Sequence, residues 1–233
     1  MSLALKTAAT ALALDWTNEV KGHLRVDSDD EKARAEAILM PAASAWAETF
    51  TNRALITQTW TLYLDRFPGG CLPYQNWTGG QYSYIEIPKP PLQSITSIKY
   101  YDANGVLQTW SSSNYEVDPP AGAPFDPECQ PYRVRPVVGQ TWPIPRAQRG
   151  AVQIEFVCGY GAAYTSVPAK LKAAMLLVVG EQFERREQAV EGTIISKVIL
   201  TAENLAWPFR VQLFAATDDQ AYRYTDPYRL VGF

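Results

Sequence analysis

Proline placement constrains this chain more than any other feature. Thirteen of its 17 prolines fall between Pro68 and Pro145. A proline inside a helix removes a backbone hydrogen bond and clashes with the preceding turn, so that span holds no long regular helix. The flanks on both sides carry helical patterns. The chain therefore reads as an α+β protein: helices, then a β-rich insert, then helices again. Four parts are expected: an N-terminal lead and helices over 1–54, the insert over 55–161, further bundle helices over 162–210, and an extended arm over 211–233.

In the first flank, Thr17 is placed to cap a short helix from Asn18 to Leu24. Ser28 with Glu31 three residues later has the form of a capping box opening a longer helix. The expected apolar face of that helix runs Ala35, Ile38, Leu39, Ala42, Ala45, Trp46 and Thr49/Phe50. Pro41 falls on the other side with Arg34, Ser44 and Glu48, and should kink the helix without ending it.

The insert opens with strict alternation. Ile56, Gln58, Trp60, Leu62 and Leu64 interleave with Thr57, Thr59, Thr61, Tyr63 and Asp65, the signature of a strand. "YSYIEIP", "SITSIKYYD", "VLQTW", "YRVRP" and "AVQIEFV" continue the pattern, and "DANG" at 102–105 supplies a hairpin turn. Five or six strands forming a small barrel or sandwich are expected. Beyond the insert, a strong helix runs from Pro168 to about Glu187. Its Ala173–Gly180 stretch is apolar all round and so needs cover on several sides. A loop and a short helix capped by Thr201 and stopped at Pro208 follow.

The candidate chemistry is thin. Hydrophobic residues make up 47% of the chain and charged residues 19%, with a net charge of −3. That whole-molecule field gives no avidity for nucleic acid or anionic membrane. The longest apolar block is far short of a bilayer span, and the N-terminal "MSLALKTAATALALDW" lacks the basic opening of a signal peptide. Cys71, Cys129 and Cys158 are scattered, which favours a reducing compartment, with a Cys71–Cys129 disulfide as an open alternative. The single histidine, His23, all but excludes a Cys/His zinc site.

"FVCGYG" at 156–161, a strand ending in a glycine turn ahead of a helix, raises two enzymatic readings: a Cys158 nucleophile, and a nucleotide site at Gly159-Tyr160-Gly161. Against them, His23 has no triad partners around it and the glycines lack the phosphate-loop spacing. A structural cysteine and a connecting turn are favoured. Asp27, Asp29, Asp30 and Glu31 lack the spacing of a calcium loop and read as a solvated helix start. No cofactor or metal is expected. In "YRVRPVVGQTWPIPRAQRG", Arg133, Arg135, Arg146 and Arg149 occur with no acid between them and with Trp142 nearby, a candidate contact for DNA or an acidic partner.

Several stretches, taken together and in order, resemble the head–tail connector (adaptor, head-completion) proteins of long-tailed bacteriophages and gene-transfer particles. They are "WTNEVKGHLRVDSDDEKARAEAIL", "FTNRALITQTWTLYLDRFP", "IEIPKPPLQSITSIKYYDANG", "NYEVDP", "FVCGYG", "VPAKLKAAMLLVVGEQFERRE" and "AENLAWPFRV", spanning about 16–211. Pro41, the Ala/Leu lead and the extension after Val211 depart from that pattern.

The resemblance implies a small helical bundle with the β-rich insert between its second and third helices, in a non-catalytic virion protein assembled in the host cytoplasm and built into the neck. It implies a homo-oligomeric ring, commonly dodecameric, beneath the portal protein, extending the channel through which DNA passes without sequence-specific binding. A stopper or tail-completion protein would follow it, and no membrane is involved. Leu176, Leu177, Val179 and Phe183 become the expected subunit interface. Trp207, Phe209, Arg210, Phe214, Tyr222, Tyr224, Tyr228 and Phe233 become the expected portal-binding residues, since exposed aromatics are favoured interface anchors.

Overall fold

In a computed structural model, residues 1–68, 84–122, 132–184 and 196–211 are described, with the backbone alone over 196–200. Eight strands form two antiparallel sheets. Five of them, β1 (Ser2–Thr7), β2 (Gln58–Leu64), β8 (Val152–Cys158), β4 (Leu92–Tyr101) and β5 (Leu107–Trp110), lie side by side in that order. The other sheet is β3 (Ile85–Ile87), β7 (Tyr132–Pro136) and β6 (Tyr115–Asp118). Helices α1 (Lys21–Leu24), α2 (Lys32–Arg34), α3 (Met40–Thr51), α4 (Ala169–Glu184) and α5 (Ser196–Ala206) form the bundle. The chain is α+β, as the proline distribution requires.

The larger sheet owes its register to one apolar row. Leu3 faces Leu62, Leu62 faces Ile154, Ile154 faces Ile98, and Ile98 faces Trp110. Leu62, Ile154 and Ile98 are fully buried. A one-residue slip of any strand would turn its member of the row toward solvent. Ile85, Ile87, Tyr132 and Val134 of the smaller sheet join the same core, so the insert is a sandwich. β1 was not expected: it lies in the N-terminal lead, where "SLALKT" shows only one weak alternation. β6, within "NYEVDP", is only four residues long, with Tyr115 and Val117 half-buried against the core and Glu116 and Asp118 exposed, too short an alternation to mark a strand.

The helices depart from expectation in instructive ways. Asp15, not Thr17, caps the first, its carboxylate accepting from the Asn18 N–H at 2.8 Å. The Ser28 capping box does not form. Ser28 Oγ donates to Asp30, and Glu31 pairs with Arg34 at 3.2 Å. Upstream of Pro41 the helix widens into a π-turn over Ala35–Leu39. The wider turn accommodates the proline ring, which would otherwise meet the Ala37 carbonyl. It also advances the phase of everything beyond it. The buried face becomes Ala35, Leu39, Met40, Ala43, Ala47 and Thr51, whereas Ile38 is 59% exposed and Ala45 lies outside. Glu48, expected in solvent, turns inward. Its carboxylate accepts from Leu55 N–H at 2.9 Å and Gln58 Nε2 at 2.7 Å, tying α3 to the sheet.

The apolar helix α4 is central. Leu171, Ala174, Met175 and Val179 are buried among Trp16, Val20, Leu39, Ala43, Ala202 and Ala206. α5 starts at Ser196, so Thr201 sits within it rather than at its cap.

Bundle and sandwich meet at the glycine turn after β8. Gly159 N–H donates to Pro91 O at 2.9 Å and Tyr160 N–H to Leu55 O at 3.1 Å, while Gly161 O accepts from Thr57 N–H at 2.9 Å. At Gly159, φ is +118°, and a Cβ would lie 2.5 Å from the Ile56 carbonyl oxygen. Only glycine fits both restraints. Gly159→Ala should therefore cost roughly 2 kcal/mol or more, measured as a shift in the denaturant midpoint at unchanged slope.

Candidate functional site

The end of α3 is a mooring for the C-terminal segment. α3 closes on Asn52 in the left-handed conformation, φ 56°, which releases the chain sharply toward the sheet. Val211 N–H donates to Thr51 O at 2.9 Å and Asn52 Nδ2 donates to Val211 O at 2.9 Å. Arg53 Nε donates to the Phe209 carbonyl in a short hydrogen bond. Arg53 is wholly buried, with the hydroxyls of Tyr160 and Tyr132 facing its guanidinium. Burial lowers the Arg53 pKa from its ordinary value, opposed by those two phenols. Burial likewise pushes the Tyr160 phenol up, with Arg53 opposing it. Val211 is thus held at a fixed point where bundle and sandwich meet.

Beside the mooring lies an aromatic ladder. Trp46 stacks on Phe50, with centroids 5.6 Å apart and planes 15° from parallel, and Phe50 meets Trp207 at 6.4 Å. The Arg210 guanidinium lies 5.5 Å from the Phe50 ring and 5.3 Å from the Trp207 ring, within cation–π range. Trp207 is 58% exposed and Arg210 is exposed. Large rings held rigid at the surface next to a cation have the composition of an interface hot spot.

The expected residues divide. Trp207 and Arg210 stand on this surface. Phe209 is a correction, because its ring is buried in the bundle core while its carbonyl is held by Arg53. Phe214, Tyr222, Tyr224, Tyr228 and Phe233 lie outside the described residues, as do Cys71 and Cys129. Val179 is a second correction. It has no exposed surface and packs under the bundle's own helices, so it cannot face another subunit. Leu176, Leu177 and Phe183 are partly buried against that core and retain surface for a neighbour.

Among the four arginines, Arg135 pairs with Glu116 at 2.7 Å, and Arg133 lies 3.8 Å from Glu86 and over the Tyr84 ring. Burial raises the Glu86 pKa, with Arg133 opposing. The acids missing from the local sequence come from neighbouring strands. Arg146 and Arg149 remain exposed.

Neither enzymatic reading of the glycine turn finds its geometry. The Gly159 and Tyr160 N–H groups are committed to carbonyls and cannot cradle a phosphate. Cys158 is fully buried, and burial, reinforced by Glu48 and opposed by Lys89, pushes its thiol up to about 12. A nucleophilic cysteine needs the opposite shift and an open approach. His23 packs on α4 at Gly180, in the bundle rather than in the sandwich core that holds Cys158. Asp29 accepts from Trp16 Nε1 at 3.0 Å and pairs with Lys21 at 2.9 Å, so one member of the acidic run clips the loop to the first helix. On the outer face of the larger sheet, a depression of about 410 Å³ is lined by Thr61, Tyr63, Lys99 and Gln153, with Lys6 and Glu155 paired across it at 2.6 Å.

No protein-family model and no curated protein sequence matches the chain. Solved structures do. Covering 92% of this chain and 98% of its own, a chain from the "Neck of empty GTA particle computed with C6 symmetry" superposes with a TM-score of 0.64 at 23% identity. Over the same shares, a chain from the "Virion of native gene transfer agent (GTA) particle" gives 0.65 at 23%, and one from the "Neck of native GTA particle computed with C12 symmetry" gives 0.60 at 21%. The chain shares the fold of these particle proteins along nearly its whole length.

Two outcomes follow from this geometry. Arg53→Met keeps the volume but leaves the Phe209 carbonyl without its donor, and should cost about 1–3 kcal/mol, with faster hydrogen exchange at 209–211. In a chain carrying Cys71→Ser and Cys129→Ser, native Cys158 should react with a thiol reagent at pH 8 about a hundredfold or more slower than in the unfolded chain. Because the folded value lies above the ordinary 9.0, the stability that Cys158 contributes as a neutral thiol is complete below pH 9.0 and lost between there and about pH 12.

Proposed function

We propose that the chain is a structural neck component of a phage-like particle: an adaptor that forms a ring beneath the portal and joins the head to the next neck or tail protein. The observation that carries this reading is a fold shared with neck proteins over 92% of the chain, at similar length. The symmetries under which those necks were computed support a ring, with twelve copies as the simplest number. Leu176, Leu177 and Phe183 are the proposed subunit contacts. DNA passes through the ring without being read, in keeping with a net charge of −3 and with Arg133 and Arg135 lying opposite carboxylates. The chain would assemble in the host cytoplasm and end in the virion.

The portal-facing surface is the aromatic ladder with Trp207 and Arg210, continued by the arm and its aromatics Phe214, Tyr222, Tyr224, Tyr228 and Phe233. A fixed launching point is what an arm that must find a partner requires, because it reduces the ordering cost on binding. A stopper or tail-completion protein would take the opposite end.

A chain ending at Val211 keeps the mooring intact. It should unfold at the same denaturant midpoint as the full chain within about 0.5 kcal/mol, yet fail to join portal-bearing heads. Normal joining by the shortened chain removes the docking role of the arm.

A further inference from the structure

The tip of the sandwich carries a surface that the bundle does not use. The hairpin between β4 and β5 turns on Asp102, whose carboxylate accepts from Asn104 N–H, Val106 N–H and Gln108 Nε2, each at 2.9 Å. These bonds lower its pKa, the Gln108 bond foremost, and fix the turn. The segment 137–146 runs alongside β5. It is held at one end where Val137 N–H donates to Asn114 O at 3.0 Å, and in its middle by Trp142 packed 4.7 Å from Trp110. At its far end Arg146 N–H donates to Tyr101 O at 2.8 Å. Arg146 then lays its guanidinium over Gly105, close enough that a Cβ there would meet it at 2.6 Å.

This path brings Ile144 to the end of the sheet that carries Val106 and Leu107. Ile144 is 82% exposed and Val138, on the same segment, 96%. Val106 and Leu107 are exposed as well. Single exposed apolar residues are ordinary. Here they come from two segments braced against each other, and Pro143 and Pro145 stiffen the one that has no regular structure.

The rim is cationic and uncompensated. Among the described residues neither Arg146 nor Arg149 has a carboxylate partner. The acids at these turns are already engaged, Asp102 as above and Asp65 by Gly150 N–H at 2.8 Å. Arg133 and Arg135, by contrast, lie opposite glutamates.

We infer that the tip formed by Val106, Leu107 and Ile144, rimmed by Arg146 and Arg149, docks a protein other than this chain whose facing surface is apolar and edged with carboxylates. Resting on the proposed neck role, it is the face for the component added after the ring. Charge complementarity selects the carboxylates, and the apolar centre selects protein over nucleic acid, since phosphates gain nothing from exposed valine and isoleucine. A stiff, pre-set surface also suits a partner that arrives late and must bind without remodelling the ring.

The test compares particles made with the unchanged chain, with Ile144→Asp, and with the Arg146→Glu/Arg149→Glu pair. All three sites are exposed, so melting curves should match the unchanged chain. Two quantities are read: the fraction of heads that carry the chain, and the fraction that carry tails. Both variants should enter heads normally while tailed particles fall about tenfold or more. Unchanged tail numbers would overturn the inference. So would failure of either variant to enter heads, which places the tip against the portal or a neighbouring copy. An effect of the arginine pair alone, accompanied by loss of salt-sensitive retention on double-stranded DNA, would make the tip a nucleic-acid surface and also overturn it. If the unchanged chain never enters heads, the neck role itself fails and takes this docking face with it.

Discussion

One buried cation organises this molecule. Arg53 lies between the last turn of α3 and β2, with its side chain inside and its Nε on the Phe209 carbonyl. Burying a guanidinium is costly unless hydrogen-bond acceptors meet it. The groups that meet it are gathered from distant parts of the chain: the C-terminal segment supplies a carbonyl, while Tyr160 in the turn after β8 and Tyr132 on β7 also favour its charge. The bundle, the sandwich and the start of the arm can satisfy this cation only in one mutual arrangement. Backbone hydrogen bonds from Val211 to Thr51, from Tyr160 to Leu55, from Thr57 to Gly161 and from Gly159 to Pro91 repeat the same restraint with neutral groups.

That restraint gives the molecule two ends. At one, Trp207 and Arg210 stand beside the fixed mooring of Val211. At the other, a proline-stiffened segment is pinned along β5 and presents apolar side chains with arginines that have no carboxylate partner among the described residues. The helix between them, α4, is buried largely by its own chain, with part of Leu176, Leu177 and Phe183 left over.

Much of this was legible in the sequence, and the failures have physical causes. Prolines marked the insert, and alternation marked β2, β4 and β8, because those signals are local. The face of α3 was misplaced because a π-turn ahead of Pro41 adds to the helical phase, and nothing in the residue types announces a wide turn. β1 escaped because an edge strand needs only one apolar contact, Leu3 on Leu62. Arg53 escaped for a different reason. Charged residues are almost always exposed, and the Phe209 carbonyl that meets it lies 156 positions away in the chain. Val179 and Phe209 were assigned to outer surfaces because composition shows that a helix must be covered without showing by what. The four arginines looked alike until cross-strand glutamates separated Arg133 and Arg135 from Arg146 and Arg149.

Electron cryo-microscopy of the neck in particles built with this chain decides the matter most directly. A closed ring of its copies is expected directly below the portal, with the Arg53–Phe209 mooring toward the portal and the 137–149 segment facing the next component. A ring with the opposite polarity, or particles in which this chain lies outside the neck, would contradict it.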